Sequence, residues 1–397
     1  MKITAIETIR FEQRPNLVWV ELQTDQGLTG LGESWFGASA IETDIHDRIA
    51  PLLLGADPRR IESLNRSLRP YAGYCGSGAE LRAVSAIDVA LWDLCGKLAG
   101  LPIYQLLGGA CRDTVPVYNT CAGPDYVSQS SDVRPGNFGL ASDNPQYEDL
   151  HAFMNSADEL AASLLDMGID SMKIWPFDFA AGAADGLALT TAEINTALEP
   201  FEKIRKAHGD RMRIKAELHG MWALPAAISI CKALEPLDPD WVEDPIWMDR
   251  PADLGTLAST TRAPLAGGET AGGLGQVRDL IESKGLAVPI VDVTWGGGIT
   301  FAKKAATLAE ANTLPVAFHD CSGPITLTAS THLAMNCTNV REQEITRGFY
   351  YGWYADMVTE PPPLQQGSIT APAGPGLGLE LLPDIRKRDG AVVRISK

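Results

Sequence analysis

Met212-Arg-Ile-Lys-Ala-Glu217, Asp240-Trp-Val-Glu243 and Ala263-Pro-Leu-Ala-Gly-Gly-Glu269 are three short apolar runs, each closing on a glutamate and spaced 26 residues apart. Runs this short, bounded by turn formers, read as buried strands. Leu224–Leu234, which lies between the first two, repeats its apolar residues at three- and four-residue steps and reads as a helix. Working outward, the same alternation recurs. Candidate strands fall at 115–120, 170–174, 212–217, 240–243, 263–267, 288–292, 315–319 and 341–345. Helical patterns cover Asp158–Met167, Ala192–His208, Gln276–Lys284 and Phe301–Asn312. Eight β/α units over about 250 residues predict an α/β fold of the (β/α) TIM-barrel type across residues 115–371. A doubly wound sheet would carry G-x-G-x-x-G after its first strand, and the chain has no such run.

Residues 1–114 read differently. Leu17-Val-Trp-Val-Glu-Leu22, the turn at Asp25-Gln-Gly27 and Leu28-Thr-Gly-Leu-Gly-Glu33 predict a hairpin. A helical pattern follows from about residue 40, clearest over Ala83–Lys97. This is an α+β unit placed before the barrel. Residues 123–150, rich in Ser, Asp, Asn, Gly and Pro, read as a long loop after the first barrel strand, and Pro361–Pro383 as an extended arm.

The 397 residues are 45% hydrophobic, enough for a large core, and carry 33 basic against 50 acidic side chains, a net charge of −17. Such a surface repels phosphate backbones and anionic lipids, which argues against nucleic acid and membrane partners. An anionic substrate would need a local reversal of that field. Seven cysteines without a CxxC predict reduced thiols and a cytoplasmic protein. The N-terminus reaches Glu7 before any signal-like apolar run.

Barrel active sites are built at the C-terminal ends of the strands. Neighbouring strands lie about 4.8 Å apart, so Glu217, Glu243 and Glu269 would converge. Crowded carboxylates repel one another, and three in register favour a divalent cation over salt bridging. All-oxygen ligands select a hard ion, Mg²⁺ ahead of Mn²⁺ or Ca²⁺. Lys173, Asp292 and His319 close three further strands. An Asp292–His319 pair would hold one imidazole tautomer and make its outer nitrogen a general base. His219, two residues after Glu217, would face the same side if the strand continued.

These residues, with Ser85-Ala-Ile-Asp-Val-Ala-Leu-Trp-Asp-Leu-Cys-Gly-Lys97, Gly100-Leu-Pro-Ile-Tyr-Gln-Leu-Leu-Gly-Gly109, Trp241-Val-Glu-Asp-Pro245, Gly296-Gly-Gly-Ile-Thr300 and the Gly374-Pro-Gly-Leu-Gly-Leu-Glu-Leu381 tail, resemble the enolase superfamily, mandelate racemase subgroup. The resemblance covers nearly the whole chain. It implies a capping domain over residues 1–114, to which 372–397 return, above a modified barrel. It also implies Mg²⁺ on Glu217, Glu243 and Glu269, a His319–Asp292 base, and abstraction of the proton α to a carboxylate through a metal-stabilised enediolate.

Departures from the subgroup's racemases narrow the expected reaction. Lys173 matches the first lysine of their Lys-x-Lys, but Trp175 replaces the second, and with it one base. Glu217-Leu-His219-Gly is similar to the Asp-x-His-Gly of galactonate-type dehydratases, in which the histidine is an acid. The resemblance therefore implies an acid-sugar dehydratase, a lyase giving a 2-keto-3-deoxy acid. His319 would be its base, His219 its acid, Lys173 the holder of the substrate carboxylate, and Glu344 a last-strand contact to that carboxylate. The register leaves Glu342 as a competitor for the last role. Trp175, Trp35 and Tyr74 are expected to line the pocket and its lid. The same residues would also serve a cycloisomerase of a sugar lactone or anhydro-sugar acid, or an epimerase using the same enediolate. The family implies a homo-oligomer and a small-molecule carboxylate as partner. A barrel serving only as a metal-binding scaffold is the non-catalytic alternative.

Overall fold

A computed structural model of the chain describes residues 1–71, 76, 78–128, 133–140, 146–182 and 184–397. Strands β1 (Ile3–Phe11), β2 (Arg14–Thr24) and β3 (Thr29–Trp35) form an antiparallel meander. The helix Ala79–Ala99 packs across it. Gly30 and Gly32 of β3 permit this contact, since a Cβ on Gly32 would lie 2.0 Å from the Ala86 carbonyl oxygen.

The barrel strands are β4 (Val115–Thr120), β5 (Ser171–Ile174), β6 (Arg213–Glu217), β7 (Trp241–Glu243), β8 (Leu265–Gly267), β9 (Val288–Val291), β10 (Val316–Phe318) and β11 (Val340–Ile345). All eight are parallel, and β11 pairs with β4 (Glu344 opposite Tyr118) to close the cylinder. The architecture is thus an α/β barrel with an N-terminal α+β unit. Inside the barrel Tyr118, Trp241, Ala266, Val288, Ile290 and Ala317 form a packed plug, so the chemistry is confined to the rim.

The tail differs from the extended arm expected over Pro361–Pro383. Strands β12 (Leu364–Gln365) and β13 (Ser368–Ile369) form a small hairpin, and β13 pairs antiparallel with β4. The turn at Gln366-Gly367, both residues at positive φ, is hidden in the sequence by the surrounding prolines. Farther on, β14 (Ala391–Ser396) pairs with β1, Ile6 opposite Ser396, so the C-terminus completes the N-terminal sheet.

Two buried carboxylates fasten this unit to the barrel. Asp88 accepts from the Thr300 N–H at 2.9 Å, in the first turn of the helix Gly298–Ala311. Glu33 accepts from Trp19 Nε1 at 2.8 Å, and from the Thr326 N–H and hydroxyl at 2.9 and 2.7 Å, at the start of the helix Pro324–Asn336. The position is that of an N-terminal anion at a helix. Glu33→Ala would leave these donors buried without an acceptor. It is expected to destabilise the fold by on the order of 3 kcal/mol, read by chemical denaturation; a loss below 1 kcal/mol would contradict the assignment.

Among the described residues, six cysteines are free thiols and no helix is long and apolar enough to cross a membrane.

Candidate active site

Side chains alternate along a strand, so Lys215 and Glu217 on β6, and Trp241 and Glu243 on β7, stack in layers inside the barrel. The lower layer is a closed ion-pair set. Lys215 Nζ lies 2.8 Å from Asp240 Oδ2 and 3.1 Å from Glu342 Oε1, over the faces of Trp241 and Tyr118. Glu342 therefore belongs to the lower layer, and Glu344, two residues on, to the upper one.

In the upper layer one carboxylate oxygen from each of Glu217, Glu243 and Glu269 falls within 4.8 Å of the others. Glu217 and Glu243 end their strands and are buried, while Glu269 stands two residues past β8 and is partly exposed. Lys173 Nζ reaches Glu243 at 2.6 Å, Glu344 at 2.9 Å and Glu217 at 3.1 Å. Its ammonium thus lies inside the acid cluster. Burial opposes that charge, but the three carboxylates outweigh it and raise the Lys173 pKa well above the ordinary value. One lysine does not neutralise four glutamates. Burial, with Glu217 and Glu344 nearby, pushes Glu243 up to about 8 despite Lys173. A hard divalent cation fits this all-oxygen donor set and would remove the excess charge.

Glu344 is anchored by the Thr120 hydroxyl and by the Asp320 N–H at 3.0 Å. On β10's end, His319 Nδ1 lies 2.6 Å from Asp292 Oδ2. The other Asp292 oxygen accepts from the N–H groups of Thr294 at 2.6 Å and Trp295 at 2.7 Å, which orients the carboxylate. His319 Nε2 points into the cluster, 3.4 Å from Glu269 Oε2.

The strand does not continue to His219. β6 stops at Glu217, and His219 takes a left-handed φ of 46°, unusual for a residue with a side chain. That turn aims the N–H groups of Leu218 and His219 at Glu217 Oε1, at 2.9 and 2.8 Å. It also brings His219 Nδ1 to 2.5 Å from Asp178 Oδ2 and Nε2 to 3.2 Å from the Tyr126 hydroxyl. Burial lowers the His219 pKa, but the charges of Glu217 and Asp178 raise it more, to about 9.

Asp178 and Tyr126 were not legible as site residues. Asp178 sits on a short helix after β5 with no periodic pattern around it, and Tyr126 lies in the segment read only as a long loop. The loop composition was the one signal for Tyr126, and Asp178 had none.

The space among these groups is small, about 30 Å³, and opens into a cavity of about 460 Å³. Phe36, Val133 and Trp295 border both, and the Trp295 ring lies 4.8 Å from that of His319. Trp175 and Trp35, expected on the wall, are buried behind it. Trp175 packs edge-on against His219 and Tyr126 takes its place at the surface. Trp35 stacks on Trp353 behind Phe36. Both indoles are buried and fill the shell that supports the rim. Tyr74 lies outside the described residues.

Residues 3–108 match the family described as mandelate racemase / muconate lactonizing enzyme, N-terminal domain, and residues 156–385 the enolase C-terminal domain-like family. D-galactonate dehydratase of Ralstonia nicotianae is 31% identical over 391 residues, 96% of this chain and 92% of that protein. D-galactonate dehydratase of Xanthomonas oryzae pv. oryzae is 30% identical over 398 residues, 98% of this chain and 94% of that one. An enolase of the mandelate racemase subgroup from Agrobacterium tumefaciens, solved with a succinimide residue, superposes with a TM-score of 0.88 at 45% identity, over 100% of this chain and 99% of that one. An enolase from environmental sequencing of the Sargasso Sea gives 0.89 at 41% identity, over 100% and 98%.

Proposed function

Because the chain belongs to the enolase superfamily, in its mandelate racemase subgroup, we propose that it is an acid-sugar dehydratase. It would remove the proton α to the carboxylate of an aldonate or aldarate and expel the β-hydroxyl as water, giving a 2-keto-3-deoxy acid. One observation carries this reading. Two histidines, each backed by an aspartate, stand just past the ends of β10 and β6, four strands apart in a closed eight-stranded barrel, with the carboxylate cluster between them. The relatives named D-galactonate dehydratase support it.

Mg²⁺ held by Glu217, Glu243 and Glu269 would supply positive charge where the substrate carboxylate becomes more negative. The rest is done by this chain's own groups. Asp292 occupies His319 Nδ1, leaving Nε2 to take the α-proton. The C–H electron pair would first delocalise onto the substrate carboxylate as an enediolate, which can be reprotonated, and then form the C=C bond between the α- and β-carbons as the C–O bond at the β-carbon breaks. His219, held in its charged form at Nδ1 by the Asp178 carboxylate, which lies outside the carboxylate cluster, gives its Nε2 proton to the departing oxygen, and the enol then becomes the 2-keto acid. Lys173, held by Glu344, pairs with the substrate carboxylate and, together with Mg²⁺, would offset the negative field of the −17 chain at that point. Trp175 packs where the second base of racemases would stand, which leaves His219 as the group on that side.

The reading further takes residues 1–114 and 372–397 as a capping domain over a barrel of 115–371, supported by the β1–β14 pairing. It takes the protein as cytoplasmic, in line with the free thiols among the described residues, and as a homo-oligomer on the family resemblance.

The test is incubation of the purified protein with Mg²⁺ and a library of aldonates and aldarates in D₂O. The expected product is a keto acid, trapped as its semicarbazone, with one water lost. Deuterium at the α-carbon with every hydroxyl retained would show epimerisation instead, and an isomer without a keto group would show ring chemistry.

A further inference from the structure

The outer cavity contains a feature that the reaction above does not use. Arg82, on the helix Ala79–Ala99, reaches its wall and is only 9% exposed. Its guanidinium donates to the Trp35 carbonyl at 2.6 Å and lies over the Trp295 ring at 4.4 Å. Trp295 also contacts the His319 ring, so one indole touches both the guanidinium and the base. Burial pulls the Arg82 pKa down to about 10, with Asp292 and Glu269 acting against that; the group is charged at neutral pH. Arg134, in the described segment 133–140, lines the same cavity and is exposed. Three acids line it as well, of which Glu269 belongs to the carboxylate cluster already described. Asp244 is buried and accepts from the Gly268 N–H at 2.9 Å, and Asp185 is exposed, where solvent screens it.

We propose that Arg82 binds a second anionic group of the substrate, which makes the enzyme selective for an aldarate over the corresponding aldonate. The proposal rests on the dehydratase reading and adds the substrate class. A guanidinium on a cavity wall, largely removed from water, forms a charge-assisted hydrogen bond with an anion brought into that cavity, alongside the contacts it already makes. The substrate would then be held at both ends, one carboxylate at Lys173 and the other at Arg82, with Trp295 and Phe36 against the carbon chain. The relatives are named for an aldonate, so this departs from them.

The test compares kcat/KM with Mg²⁺ on matched pairs, galactarate against galactonate and glucarate against gluconate. The wild type is expected to prefer at least one aldarate over its aldonate by tenfold or more. Arg82→Gln is expected to lower that ratio at least tenfold through KM, with Arg82→Lys between the two. A wild type that prefers aldonates, or an Arg82→Gln variant that loses both activities equally, overturns the proposal and leaves the dehydratase reading intact. Should Arg82→Gln fail to fold, the wild-type preference and the Arg82→Lys ratio decide. If no acid sugar of either class yields a keto acid, the dehydratase reading fails and this proposal with it.

Discussion

His319→Asn is expected to lower turnover on the order of 10²–10⁴-fold and to abolish exchange of the α-proton with D₂O. Asparagine keeps a polar group of similar reach beside Asp292 Oδ2 but accepts no proton at neutral pH. Folding and metal affinity are expected to persist, because the Asp292 orientation comes from the N–H groups of Thr294 and Trp295 and does not depend on the imidazole. His219→Asn is expected to separate the two half-reactions. Turnover falls by a comparable factor, while the α-proton still exchanges, since the base and the carboxylate cluster are untouched. NMR of the substrate in D₂O reads both effects. Should His319→Asn exchange the α-proton at the wild-type rate, the base is wrongly assigned. Loss of exchange in His219→Asn would make His219 part of proton abstraction and remove its role as acid.

The second large effect concerns the metal. In chelated protein, Glu243 is pushed up to about 8, whereas a carboxyl in the unfolded chain titrates near its ordinary value of about 4.3. Between those values the folded state holds a proton that the unfolded state has released. Stability from this group is therefore complete below the unfolded value and is lost as pH rises toward 8. Mg²⁺ binds the deprotonated cluster, so its stabilisation runs the other way and is larger at pH 8 than at pH 5. At a hundredfold excess over Kd it amounts to about 2.7 kcal/mol. Thermal unfolding with EDTA and with Mg²⁺ across this range should show both slopes. Glu243→Gln is expected to flatten the EDTA slope and to remove most of the Mg²⁺ response. An unchanged Mg²⁺ response in that variant would place the ion elsewhere.

The metal also bears on the base. Burial lowers the His319 pKa, but Glu269, Glu344 and Asp292 together raise it well above the usual range. A cation on the glutamates cancels the largest of the raising charges, that of Glu269, and moves the imidazole toward the neutral form that abstraction requires.

Much of this site could be read from the chain because strand ends are a local property. A run such as Arg213–Glu217 states its length and its last residue, and the barrel places all last residues on one rim. Glu217 and Glu243 follow that rule strictly, while Lys173, Glu269, Asp292 and His319 lie within two residues of a strand end and reach the same rim. Residues not attached to strand ends escaped it. The His219 turn, the Asp178 contact and the Tyr126 hydroxyl depend on loops whose path is set by what they pack against. The positions of Trp175 and Trp35 in the sequence favour the wall, but Tyr126 and Phe36 pack over them and take that place.

By itself, then, the sequence determined the barrel, the N-terminal α+β unit and six charged groups on one rim, because hydrophobic period and strand termination act over a few residues. Tertiary structure alone decided which of Glu342 and Glu344 faces the site. Alternation along β11 sends both inward, and only barrel closure onto β4 and the pairing of Lys215 below and Lys173 above assign each to its layer. It alone also gave His219 an aspartate and Arg82 a place on the cavity, since both contacts join segments far apart in the chain.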